Sequence, residues 1–322
     1  MRRPLRLLQA IRPYISNAGP SPCLQTYLNR SQSTMPPLNA ASQEAIARLR
    51  NYVPPPTAYY DVPLSRRAAV LILLYADPNG DLRVVITIRA KTLSSYAGDA
   101  ALPGGRADTL SETPFETARR EAWEEIGLPG IGSPLPDPSP SSISASYRPA
   151  WPKQNSCATG KTADPEVSLI PKLDAREVAA VFTAPFHRFL CLRGPDAAGD
   201  VQGDDDPGQW YRGSWSRWHN SNWRMHQFFV RAHNAVQPRS PEQAAAQQQV
   251  AGQRYRVFGM TARILVDAAR LAYASEPEFE HNSHFGDEVM IAKLRKLGRL
   301  GPERKASDEL TLETMEKAAK LS

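Results

Sequence analysis

The chain has 322 residues, 41% of them apolar, with 29 prolines and a formal charge of +6. That length supports one sizeable core with decorations or two small domains, and with no run of 18 apolar residues a membrane-spanning helix is not expected. Five arginines and no acid precede Glu44, so residues 1–43 carry +5 of the charge and the remainder only +1; the charge does not argue for nucleic acid as a partner.

The first segment holds Arg2, Arg3, Arg6, Arg12 and Arg30, with Leu5, Leu8 and Ile11 on one side of a short amphipathic turn. This composition predicts a disordered mitochondrial targeting leader over residues 1–43. Met35 can act as an internal start, giving a cytosolic or peroxisomal form, although the terminal "AAKLS" carries A-K-L one residue before the end. Cys23, Cys157 and Cys191 make no C-x-x-C pair and read as free thiols of a reducing compartment.

"ASQEAIARLRNY" predicts a helix over 41–52, stopped by Pro54, Pro55 and Pro56, so that 44–65 is a helix and Pro-rich linker. "RRAAVLILLYADPNGDLRVVITIRA" (66–90) reads as two strands about a "DPNGD" turn, and a Gly-containing loop follows over 91–111. A helix is expected over 114–126: Thr113 is the N-cap, Pro114 the first helical residue, Glu116 completes a capping box, and Gly127 with Pro129 ends it.

Polar insertions are expected near 129–163, 193–222 and 236–253. Between them, 166–173 and 178–184 read as a strand and a further short element, and 223–233 as a strand. "YRVFGMTARILVDAARLAYA" (255–274) ends as a helix, and the charged extension 276–322 holds another at 286–297. The fold class is therefore α/β (α+β), a mixed β-sheet sandwiched between helices and interrupted by insertions.

The helix 114–126 raises a chemical question. Glu121, Glu124 and Glu125 share one face at i, i+3 and i+4, where like charges repel. Phe115, Ala118, Ala122 and Ile126 form the neighbouring apolar stripe. Hard oxygen ligands on a rigid helix suit Mg2+ or Mn2+, which turns repulsion into coordination; a merely solvated acidic face is the competing reading of E-x-x-E-E alone. Arg120 can hold Glu124 in place, and Gly104-Gly105 lets a backbone carbonyl approach a metal closely.

These residues match a family. "GG-x14-REAWEEIGL" resembles the Nudix hydrolase box, complete from Arg120 to Leu128, with the box glutamate on Glu112; the position of the box glycine falls on Arg106, one residue after Gly105. "TIRAKTLSSYAGDAALPGG" (87–105) resembles the signature of the coenzyme A diphosphatase branch: Thr87, Arg89, Ala90, Gly98, Leu102, Pro103, Gly104 and Gly105 are in register, and Ser94 stands where that signature has a second arginine. The likeness covers roughly 66–275, which the resemblance makes a Nudix hydrolase domain with the Nudix fold.

The resemblance implies hydrolysis of the diphosphate of coenzyme A or its thioesters to 3′,5′-ADP and 4′-phosphopantetheine or its acyl forms. It implies Glu121 and Glu125 as metal ligands, with Glu124 and the Gly105 carbonyl completing the shell. Arg89, Gly104 and Gly105 would bind substrate, and one of the three glutamates or Glu177 would serve as base. Glu112 is expected to orient the loop; Thr87 and Gly98 to shape backbone; Tyr255 and Phe258 to pack in the core. Two other readings stay open. Ser94 leaves room for another nucleoside diphosphate such as ADP-ribose, NADH or capped RNA, and the fold could serve as a non-catalytic scaffold. Gly160-Lys161-Thr162 lacks the glycine and strand of a phosphate loop, and His219, His226, His281 and His284 lack a metal-binding frame. Trp210, Trp215, Trp218 and Trp223 are expected to fold against the core instead of stacking on bases.

Overall fold

Strands that are apolar on both faces need cover on both faces, and the computed structural model supplies it. The structure describes residues 37–128, 143–145, 157–160, 173–195, 209–218, 221–231, 235, 254–282, 288–301 and 310–321. The chain divides into two units, Met1–Thr34 and Met35–Ser322; the first lies outside the described residues, as do residues 1–36 of the expected leader, whereas 40–43, expected to be its disordered end, are helical because Asn39 caps a helix there.

Helix α1 (Ala40–Asn51) begins on Asn39, whose side chain accepts from Ser42 N. The apolar run after it is one extended path in two pieces, β1 (Ala68–Ile72) and β2 (Leu74–Ala76), broken at Leu73. Two strands were expected over 66–90; the break appears because β1 and β2 serve different partners. β2 pairs with β3 (Leu82–Arg89) across a turn in which Asp77 Oδ1 accepts from Asn79 N (2.8 Å) and Asp81 N (3.0 Å). β1 pairs antiparallel with β5 (Gly104–Arg106), Ala69 facing Gly105 and Val70 facing Gly104. β3 pairs antiparallel with β4 (Ala100–Ala101) and β8 (Val178–Pro185).

Alternation along these strands decides which face each residue covers. Ala69, Leu71, Val85, Val178 and Val181 pack with Ala118, Ala122 and Ile126 of helix α2 (Pro114–Ile126). Ile72, Val84, Ile86, Ala180 and Phe182 point the other way, against Ile46 and Leu49 of α1 and Leu265 and Ala269 of α3 (Gly259–Tyr273). A sheet between helices results, as the composition required.

Two stretches read as insertions contain strands. Within 129–163 lie β6 (Ile143–Ala145) and β7 (Cys157–Gly160), β7 running parallel to β1. The free edge of β1 accepts a partner through backbone groups, whatever the Pro and Ser content around it. Within 193–222, β9 (Tyr211–Trp218) pairs with β10 (Ser221–Arg231), which also pairs with β11 (Arg254–Phe258). Tyr and Trp favour strands, a signal outweighed in the sequence by the glycines and aspartates before them. The insertion at 236–253 and nearly all of the strand expected at 166–173 lie outside the described residues.

Beyond α3, α4 (Glu288–Lys296) and an unanticipated α5 (Leu312–Ala319) close a small cluster of Ile291, Leu294, Leu300 and Met315 on Val62. Trp210 packs on Phe189 and Phe228 as expected of a core aromatic, whereas Trp215 is about half exposed. Cys191 is a buried free thiol.

Candidate active site

Helix α2 is fixed at both ends by its own sequence. Glu116 N donates to Thr113 Oγ1 (3.2 Å) while Thr113 N donates to Glu116 Oε2 (2.8 Å). Gly127, at φ 71°, ends the helix, and its N–H donates to Trp123 O (2.9 Å). The stripe Ala118–Ala122–Ile126 seats the helix on β1, and this turns the adjoining Glu121 and Glu125 toward β5.

Glu125 is only 4% exposed. Its Oε2 accepts the Gly104 N–H at 3.0 Å. Burial pushes this carboxyl up to about 8, with Glu121 and Glu177 adding to the rise and the Gly104 N–H and Arg89 opposing it. Burial likewise raises Glu121, against Arg120, and the charges of Glu124 and Glu177 contribute. Gly105 comes so close to Glu121 that a Cβ there would overlap its carboxylate. Gly104 has φ 148°, and a Cβ would run into Ala69 O and Val70 Cα. Gly104 is therefore required by space and by backbone conformation, whereas a side chain at Gly105 would displace the Glu121 carboxylate.

One arginine holds the outer side of the group. Arg120 Nε donates to Glu112 Oε1 (2.8 Å), its Nη2 to Arg106 O (2.7 Å), and its Nη1 to Glu121 Oε1 (3.2 Å) and Glu124 Oε2 (3.3 Å). Glu112 also accepts from Asp108 N (2.8 Å), so it ties the loop before α2 to the helix, as the sequence suggested. Burial raises the Glu112 carboxyl, but the bonds from Arg120 and the Asp108 N–H outweigh it and hold the group below its ordinary range.

The sequence-derived residues thus fall into two positions. Glu121, Glu125, Gly104 and Gly105 come together, and the charges of Arg89 and Glu177 reach Glu125. Glu124 sits toward solvent, its side chain 43% exposed, beside Arg120. Arg89 ends β3; its Nε is buried and has no hydrogen-bond partner among the described residues. Arg89 N donates to Asp99 O (3.0 Å) and Gly98 N to Arg89 O (3.1 Å), so the loop carrying exposed Ser94 closes on Arg89 itself. Thr87 Oγ1 donates to Ala101 O (3.0 Å), bracing the approach to Gly104. Tyr255 is in the core against Phe182, while Phe258 is part-exposed beneath the Arg256 guanidinium. Sequence reasoning missed Arg67, which bonds Val62 O, Tyr60 O and Leu110 O and so anchors the loop before α2; a lone arginine beside a strand gives no signal of this.

Among the described residues no three His, Cys, Asp or Glu side chains form a finished metal cage. The donor set nevertheless fits a hard divalent cation: Mg2+ keeps several waters and takes one or two carboxylates from a protein. Two glutamates whose carboxyls are raised by burial and by each other's charge are what such an ion would relieve.

Gly104→Ala is expected to lower stability by roughly 2–4 kcal/mol, since backbone of β1 has nowhere to go. Gly105→Ala meets a side chain instead, so it should fold with a smaller loss and move Glu121. Thermal melts by circular dichroism separate the two.

A family model for the NUDIX domain matches residues 65–202. The chain is 46% identical over 86 residues to "Peroxisomal coenzyme A diphosphatase 1, peroxisomal" of Saccharomyces cerevisiae, covering 27% of this chain and 25% of that protein. It is 30% identical over 221 residues to "Nudix hydrolase 15, mitochondrial" of Arabidopsis thaliana, covering 66% of this chain and 61% of the relative. It is 32% identical over 160 residues to "Uncharacterized Nudix hydrolase NudL" of Yersinia pestis (strain Pestoides F), covering 46% of this chain and 72% of the relative. The first two matches take in less than two thirds of the relatives' own lengths.

Proposed function

The chain belongs to the Nudix family, and on that premise we propose that it hydrolyses the diphosphate linkage of coenzyme A and its thioesters. The observation that carries the reading is the buried Glu125 beside Glu121, both aimed at Gly104-Gly105, with the Arg89 charge within reach. The substrate class rests on the 87–105 signature and on the likeness to the yeast diphosphatase.

A bound Mg2+ or Mn2+ would neutralise diphosphate oxygens and acidify the attacking water. Glu121 and Glu125 would hold the ion, and the Gly105 carbonyl and Glu124 would complete its surroundings. Arg89 clamps a phosphate through its fork of N–H donors, and its unpartnered Nε is available for that bond. Water oxygen bonds to phosphorus as the bridging P–O bond breaks. The water proton passes to a carboxylate, either Glu177 just before β8 or one of the α2 glutamates.

The test is a substrate panel with purified protein and Mg2+: coenzyme A, an acyl-coenzyme A, ADP-ribose, NADH and capped RNA, compared by kcat/KM. Coenzyme A is expected to lead and to yield 3′,5′-ADP. A different leader reassigns the substrate, an outcome that Ser94 in place of a second arginine would explain. No cleavage of any member, together with no Mn2+ binding by calorimetry, overturns the enzymatic reading in favour of a scaffold.

A further inference from the structure

A second row of ionisable groups, distinct from the α2 carboxylates, is buried where β9, β10, α3 and the segment after α3 meet. Tyr211 Oη lies 3.0 Å from His226 Nδ1, His226 Nε2 lies 2.8 Å from His281 Nδ1, and His281 Nε2 lies 2.6 Å from Asp267 Oδ1. Tyr211 is 7% exposed, His226 1% and Asp267 0%. The His281 side chain is buried as well.

The protons in this row can be counted. With both imidazoles neutral, each ring has one N–H and one bare nitrogen. Ionised Asp267 accepts from His281 Nε2–H. His281 Nδ1 then accepts from His226 Nε2–H, and His226 Nδ1 accepts the Tyr211 hydroxyl. Every donor meets an acceptor, in a single direction. One added proton is also accommodated, on either ring: His226 then donates from Nδ1 to the Tyr211 oxygen, and a single proton fills the contact between the two imidazoles. A second added proton, which makes both rings positive, sets two N–H groups against each other across 2.8 Å.

The surroundings add to that repulsion. Arg224 from β10 and Arg263 from α3 act on His226 with the same sign as His281. Arg270 of α3 lies 3.6 Å from Asp267. The nearby acids are turned elsewhere: Glu276 pairs with Arg270, Glu278 accepts from Leu192 N, and Glu280 pairs with Arg224 and Trp215 Nε1. Tyr211 is the group facing His226 from β9. Burial first, then these positive charges, push His226 down to about 3.

Residues 275–282, which carry His281, form no helix or strand and run as a strap over this sheet edge. Glu278 N donates to Leu190 O (2.8 Å), Phe279 stacks on Tyr211 at 4.0 Å, and Asn282 Oδ1 accepts from Arg224 N (3.0 Å) beyond the end of β11. The ion pairs at its exposed glutamates contribute little, which leaves the buried row, Phe279 and the bonds of Glu278 N and Asn282 Oδ1 as its fastenings.

We propose that Tyr211, His226, His281 and Asp267 form an acid-sensitive latch, which holds the strap 275–282 against β9 and β10 while the two imidazoles share at most one added proton and releases it when both rings are doubly protonated. Lifting the strap returns His226 to water, where an imidazole titrates near its ordinary value of about 6.5. The open form then binds the proton that the closed form refuses. The opening equilibrium should therefore rise about tenfold for each pH unit below about 6.5 and level off near the closed-state value. The latch does not depend on the proposed hydrolase activity.

Amide hydrogen exchange on the full chain, corrected for intrinsic rates and read by mass spectrometry between pH 7 and 4, tests this. Peptides spanning 275–282 should lose protection with a slope of one proton, while peptides of β3 and β8 keep theirs. His226→Gln, which cannot take the second proton, should flatten the slope; Tyr211→Phe, which leaves both imidazoles, should preserve it. Strap protection independent of pH overturns the proposal, as does an unchanged slope in His226→Gln or parallel loss in β3 and β8. Should His226→Gln fail to fold, 15N-detected titration of the wild-type imidazoles decides: at least one bare ring nitrogen kept between His226 and His281 down to about pH 4 supports the latch, and both rings becoming doubly protonated near 6.5 in the closed form refutes it.

Discussion

Replacing Glu125 by glutamine is expected to abolish hydrolysis and yet raise the melting temperature of the metal-free protein. The first half follows from its proposed place as a metal ligand. Altering mere outer partners of metal ligands costs 10- to 100-fold in affinity or activity, so loss of the ligand itself should exceed about 100-fold in kcat/KM. The second half follows from burial. Glu125 is 4% exposed and its carboxyl stands at about 8, above the 4.5 of a free glutamate. Between those pH values the folded protein keeps a proton that the unfolded chain has lost, so stability is full at low pH and falls as pH rises through this window. The full displacement is worth on the order of 5 kcal/mol as a ceiling. Glutamine cannot ionise, and its carbonyl oxygen can still accept the Gly104 N–H. Above about pH 8, Glu125→Gln should melt roughly 5–10 °C higher than the metal-free wild type. At pH 5 the two should coincide. Adding Mn2+ should restore the wild type at high pH, because the ion replaces the proton, and should leave the variant unchanged. Melts at pH 5, 7 and 8.5, with EDTA or with Mn2+, check all four statements. A wild type whose metal-free stability is flat across this range would show that Glu125 ionises freely and that its burial has been misread.

Much of this site was legible in the sequence because its determinants are local. Thr113, Pro114, Glu116 and Gly127 fix the limits of α2 without help from the rest of the chain, and the structure returns the expected 114–126 span. Helix periodicity then places Glu121 beside Glu125. What could not be read is which glutamate is buried: Glu124 and Glu125 are neighbours in sequence, yet one is half exposed against Arg120 and the other sealed against Gly104. That difference is set by β5 docking onto β1, a contact between residues more than thirty apart. The same limit hid β6, β7 and β9, whose pairing partners are remote or whose own pattern is diluted by polar residues. The row from Tyr211 to Asp267 was equally invisible. Its four members come from three elements and the strap after α3, and His226 and His281, taken alone, carry no motif.

Arg120→Ala should damage both stability and activity, but in a way that can be told apart from loss of a ligand. Among the described residues Arg120 is the single cation paired with Glu112, Glu121 and Glu124, and its Nη2 also caps Arg106 O. Without it, Glu112 and Glu121, whose side chains are 12% and 15% exposed, keep their carboxylates and lose their counter-charge. Breaking a fully buried pair costs about 3–5 kcal/mol; with Arg120 itself 24% exposed, about 2–3 kcal/mol is expected here. Glu112, held below its ordinary range, contributes stability that is present above the unfolded value and lost as pH falls through the folded one, so the gap between wild type and variant should narrow in acid. Lysine at this position offers one ammonium in place of a fork and should recover only part of the loss. Activity should fall because Glu121 is no longer held, yet every proposed metal ligand remains. A higher Mg2+ concentration should therefore restore part of the kcat/KM of Arg120→Ala and none of that of Glu125→Gln. Equal insensitivity of both variants to Mg2+ would mean that Arg120 acts on the reacting phosphate directly and not by ordering the carboxylates around the ion.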